Sequence, residues 1–61
     1  MLTLAETRRA YLDALYWEAY DTARRSWRTI VYNECPEGYD AAERDMWWAG
    51  TCGGNEERRQ S

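Results

Sequence analysis

The chain has 61 residues, which is room for one domain at most and close to the lower limit for a self-sufficient core. It carries a net charge of −3, with eight Arg, no Lys and no His. That balance argues against a dedicated nucleic-acid binder, which needs a basic footprint. It also removes Schiff-base, P-loop and His-assisted chemistry.

The apolar inventory is lopsided. Leu2, Leu4, Leu12, Leu15, Ile30 and Val31 are the branched aliphatics, against five Tyr and four Trp. Tyr and Trp each carry a polar group that needs a partner when buried. Both are enriched in binding hot spots. A core this small cannot easily hide all nine rings. Charge is uneven as well: residues 1–32 sum to +1, 33–45 to −4 and 46–61 to zero. An acidic middle segment is therefore the main electrostatic feature.

In chain order, Thr3-Leu4-Ala5-Glu6 fits a capping box that opens a helix. No Gly or Pro interrupts the chain from there to Tyr32. Leu4, Leu12, Leu15, Ala19, Ala23, Trp27 and Ile30 recur at helical spacing, with Tyr11, Tyr16, Tyr20 and Val31 widening the stripe. The pattern predicts a long helix over about 4–32; it allows a break near Arg24–Ser26, though no residue there requires one. Asn33 to Gly38 reads as a connector, with Pro36 and Gly38 placed for a β-turn. Asp40-Ala41-Ala42-Glu43 reads as a second capping box. The helix it opens, about 41–49, is expected to end at Gly50 as a left-handed cap. The expectation is an all-α helical hairpin, with residues 1–50 as one domain and 51–61 as a flexible tail. Met46 and one of Trp47 and Trp48 would pack on the long helix. So short a second helix would leave the stripe from Leu4 to Leu15 bare, which calls for a partner or a homodimer.

Chemistry finds little footing. Cys35 and Cys52 have no His to serve as base, and their spacing is not that of a zinc site. No metal and no cofactor is expected. A Cys35–Cys52 disulfide is conceivable, because the two residues flank the short helix; free thiols are favoured for a cytoplasmic chain. Glu34, Glu37, Asp40 and Glu43 lie close in sequence, but a paired-carboxylate site needs a walled cleft that this length hardly allows. The opening residues lack the basic start of a signal peptide. The longest uncharged run, 46–55, is too short to span a bilayer. The sequence therefore reads as a cytoplasmic protein without a membrane partner.

Two surfaces stand out. Trp17, Asp21, Arg24 and Arg28 form a stripe bordered by Tyr20, rich in hot-spot residue types. The plainer alternative is a solvated face on which Asp21 pairs with Arg24 or Arg25. The second surface is the acidic segment with Glu37, Asp40 and Glu43 beside Trp47 and Trp48. Negative charge next to flat rings can occupy a groove built for nucleic acid. The alternative there is that Asp40 and Glu43 merely cap a helix. Small size, acidity, many aromatics and missing catalytic groups together suggest a phage or mobile-element inhibitor of a host defence complex, of the anti-CRISPR type. It would act in the host cytoplasm on a large basic nucleic-acid-binding complex. A homodimeric assembly protein is the main alternative and a small DNA-associated regulator the second; direct nucleic-acid contact fits the scattered arginines poorly.

Overall fold

A computed structural model describes residues 1–60; Ser61, the last residue of the expected tail, lies outside them. The expected all-α architecture is present as two packed helices, α1 (Leu4–Arg25) and α2 (Ala41–Gln60), joined by one connector. A short 3-10 turn, Tyr32–Glu34, interrupts that connector, and the described residues contain no strand.

The start of α1 follows the sequence. Thr3 Oγ1 accepts the Glu6 N–H at 3.1 Å and Glu6 Oε2 accepts the Thr3 N–H at 3.4 Å. Its end does not. α1 stops at Arg25, short of the expected Tyr32, and Ser26 turns extended. The three β-branched residues Thr29, Ile30 and Val31 are weak helix formers. Tertiary bonds then claim their backbone. Asn55 Oδ1 accepts the Ile30 N–H at 3.1 Å, and Asn55 Nδ2 donates to the Ile30 carbonyl at 2.9 Å. A buried amide that satisfies both polar groups of one residue outweighs the two helical bonds forgone there.

α2 corrects a second expectation. It does not end near Ala49, and residues 51–60, expected as a loose tail, are its second half. Gly50, Gly53 and Gly54 are helical; among the described residues the only left-handed backbone is Gly38, with φ 91°. The glycines are there for contact, not for termination. A Cβ built on Gly50 would lie 2.1 Å from the Tyr16 carbonyl oxygen. One on Gly54 would lie 2.2 Å from the Tyr20 carbonyl oxygen and 2.8 Å from the Ala23 Cβ. Opposite them, α1 presents Ala19 and Ala23, both buried. Small residues four apart on both helices let the two backbones touch.

The register fixes the sense of the pair. Asp40 meets Arg8, Glu43 meets Tyr11, Gly50 meets Tyr16 and Gly54 meets Tyr20. Both sets of numbers rise together, so the helices run parallel. A parallel pair requires its connector to travel back along the whole interface, roughly 30 Å for a helix the length of α2. Residues 26–40 form that strap. It starts beside Asn55 and ends at Asp40, where Arg8 Nη2 donates to Asp40 Oδ2 at 2.6 Å. Between those points Arg28 grips Glu34 with both guanidinium nitrogens, Arg58 Nη2 donates to Thr29 Oγ1 at 2.8 Å, and the Tyr32 ring stands edge-on to Trp48.

The molecule is a thin slab of 40 × 23 × 12 Å. Its apolar core is correspondingly spare: Leu15, Ala19, Ala23 and Trp47, with Thr51 and Asn55 buried beside them. Leu4, assigned to the apolar stripe, is 91% exposed because α1 begins a turn before α2 does. Trp27, assigned to the same stripe, sits on the strap and is also exposed.

The two kinds of glycine predict opposite outcomes. Gly54→Ala gains helix propensity of about 1 kcal/mol but drives a methyl into backbone, so a net loss of about 2 kcal/mol is expected. The Cβ of Gly53→Ala would meet the movable Tyr20 ring at 3.1 Å. That variant should stay within about 1 kcal/mol of the parent. Urea unfolding of both variants checks the contrast.

Candidate functional site

The stripe proposed for docking divides. Trp17, Tyr20, Asp21 and Arg24 come together on α1 and line a shallow groove. Arg28 leaves them, because α1 ends before it and its guanidinium is engaged by Glu34 on the strap. Two groove residues were not foreseen. Glu18 lies next to Trp17 in sequence and carried no signal of its own. Glu57 belongs to the half of α2 that was read as tail.

Trp17 dominates the groove. It remains 61% exposed in the folded chain. Its ring stands edge-on to Tyr16 at 4.9 Å and edge-on to Tyr20 at 5.4 Å, geometries that aromatic pairs favour. Partial burial, and then the hydrogen bond to Glu57, raise the Tyr20 phenol above its ordinary value. Asp21 pairs with Arg24 at 3.5 Å and with Arg25 at 3.3 Å. Such exposed pairs add little stability. They do hold charge in place around a ring that has no covering residue of its own.

The acidic candidates are spent differently. Asp40 Oδ1 accepts the Glu43 N–H at 2.8 Å and Glu43 Oε1 accepts the Asp40 N–H at 3.0 Å, which is the capping box read from the sequence. The Glu43 N–H, followed by Arg8, holds the Asp40 carboxyl below its ordinary range. Glu43 also receives the Tyr11 hydroxyl, whose pKa that bond pushes up to about 12. Both carboxylates therefore already have partners on α1, at its surface. Glu37 stands exposed on the strap. Of the tandem tryptophans, Trp47 is the buried one; Trp48 is half-buried, stacked on Trp47 and braced by Tyr32.

Cys35 and Cys52 are free thiols. Cys52 occupies an exposed helical position on α2, so no glycine turn folds it back toward the strap. Among the described residues no group of three or more His, Cys, Asp or Glu could hold a metal ion, and no helix is long and apolar enough to cross a membrane. The arginines of α1 are largely committed within the fold: Arg8 to Asp40, Arg24 and Arg25 to Asp21. Comparison of the chain with protein-family models, with curated proteins and with solved structures gives no match.

The strap carries a pH dependence. Arg28, helped by the Val31 N–H, lowers the Glu34 carboxyl from 4.5 to about 2. The unfolded chain therefore binds the extra proton first as acid is added. The stabilisation is complete above about pH 4.5 and is lost as the pH falls toward 2. Glu34→Gln should be less stable near neutrality and should show a flatter loss across that window, read by thermal unfolding at a series of pH values.

Proposed function

We propose that this protein is a non-catalytic protein-binding module that docks through the Trp17 face of α1. One observation carries the reading: a tryptophan flanked edge-on by two tyrosines stays mostly in water while the apolar core of the same chain is limited to Leu15, Ala19, Ala23 and Trp47. Solvent-facing aromatic surface ringed by charge is the composition of a binding hot spot. Size, acidity and the paucity of catalytic groups fit a small phage or mobile-element inhibitor of a host defence complex, of the anti-CRISPR type, acting on a basic nucleic-acid-binding assembly in the host cytoplasm. Steric blocking is the favoured mode, since Asp40 and Glu43, the carboxylates best placed to imitate phosphates, are tied to Arg8 and Tyr11.

A second reading, the homodimer, rests on the opposite end of the molecule. Met1, Leu2 and Leu4 are all exposed. Leu15, Ala19 and Ala23, the middle of the proposed dimer stripe, are already covered by α2, and Trp27 has left the helix for the strap. A dimer through α1 would therefore use the exposed residues at its start, Met1, Leu2 and Leu4. Small-angle scattering across a range of concentrations separates this reading from a monomeric binder.

Affinity capture from the native host with the intact protein as bait tests the main reading. Trp17→Ala should weaken capture of the specific partner at least tenfold, about 1.4 kcal/mol or more, while leaving the helical signal unchanged. Capture that is insensitive to Trp17→Ala removes this face from the account.

A further inference from the structure

A second cavity of about 300 Å³, which shares Glu18 with the Trp17 groove, lies where the strap crosses the groove between the helices. It is partly open to solvent and does not include Trp17. Its lining combines three kinds of surface. Leu15 and Pro36 are aliphatic, Tyr39 and Trp47 are aromatic, and Glu18 and Glu34 are carboxylates. We propose that this cavity is a binding site for an organic cation with an apolar stem, an alkylammonium or alkylguanidinium group.

The chemistry follows from the lining. Aromatic faces attract a cation through their quadrupole, most strongly where water is partly excluded. Aliphatic walls suit the stem that carries the charge. A carboxylate supplies the charge-assisted hydrogen bond that fixes the head group. The two carboxylates are not equivalent. Glu34 is already matched by Arg28 and by the Val31 N–H. Glu18 makes no ion pair with any described residue. Its charge nonetheless reaches Tyr39, whose phenol is raised by burial first and by Glu18 next. Glu18 is thus the carboxylate of this cavity whose charge is left for a ligand. The volume sits at the small end of ligand sites and accommodates one side chain or one small amine. The cavity is also held open. Asn55 at one end of the strap and Arg8 at the other anchor it across the groove, so it does not collapse onto Leu15.

The experiment titrates the isotope-labelled full chain with n-butylguanidinium chloride at constant ionic strength, followed by two-dimensional amide NMR. Its uncharged isostere, n-butylurea, serves as control. The expected result is saturable shifts centred on Ala19, Tyr39 and Thr51 that butylurea does not produce. Glu18→Gln should bind about tenfold more weakly, the loss of one charge-assisted contact. Thr22→Trp, at an exposed position on the cavity rim, should fill the site and abolish the shifts without disturbing the core. Glu18 lines both surfaces, so Trp17→Ala is the variant that separates them: it should bind the cation normally while losing the docking partner. A capped Gly-Arg-Gly peptide distinguishes the source: binding as tight as butylguanidinium assigns the site to an arginine of a protein partner, and exclusion of the peptide assigns it to a free amine. Absence of saturable shifts, equal shifts with butylurea, or undiminished binding by Glu18→Gln would overturn the proposal.

Discussion

The fold depends on one contact: two glycines of α2 laid directly on the backbone of α1. At Gly50 and Gly54 no side chain of any size fits between the helices. Glycine in a helix interior is unfavourable by roughly 1 kcal/mol relative to alanine, so two such residues are retained only where contact compensates. Here close approach brings Ala19, Ala23 and Thr51 into a packed seam and lets Trp47 close it over Leu15. With so few aliphatic side chains available, backbone-to-backbone contact replaces the bulk that a leucine-rich pair would use. Dispersion between closely packed atoms is small per pair and large in sum.

Parallel alignment follows from the same seam and imposes the strap. Residues 26–40 must return along the molecule, and their own polar groups have to be satisfied on the way. Asn55 does this for Ile30, Glu34 for Val31, and Arg8 ties down the far end at Asp40. The strap is therefore a built element held by side chains from both helices. It covers one side of the groove and leaves the Trp17 side open. The exposed rings are a geometric consequence: two helices and a strap form a slab only 12 Å thin, and a slab has no deep interior. Binding surfaces arise where such a slab cannot shelter aromatic area.

Much of this was legible in the sequence. Both capping boxes, at Thr3–Glu6 and Asp40–Glu43, were readable because they are local, set by residues three apart in sequence. The grouping of Trp17, Tyr20, Asp21 and Arg24 was readable from helical spacing alone. The end of α1 was only weakly signalled: the β-branched run Thr29-Ile30-Val31 is a poor helix former, but what takes the backbone of Ile30 is Asn55, distant in sequence. The length of α2 was hidden by an ambiguity of glycine. A single Gly after an apolar run signals a cap, whereas Gly50 and Gly54, four apart and facing Ala19 and Ala23, also four apart, signal a seam. That second pattern was present in the sequence and is the one the helices obey. The same ambiguity of glycine hides Glu57 from the docking face, and uninterrupted helical spacing places Arg28 on it although α1 ends at Arg25.

The seam can be observed directly through proton–proton nuclear Overhauser effects in the full-length chain. The account predicts cross-peaks from the Gly54 α-protons to the Ala23 methyl and to Tyr20, from Gly50 to Tyr16, and from Tyr11 to the side chain of Glu43. Cross-peaks joining Tyr11 to the Asn55 end of α2, or glycine α-protons without any partner on α1, would contradict a parallel pair closed by glycine.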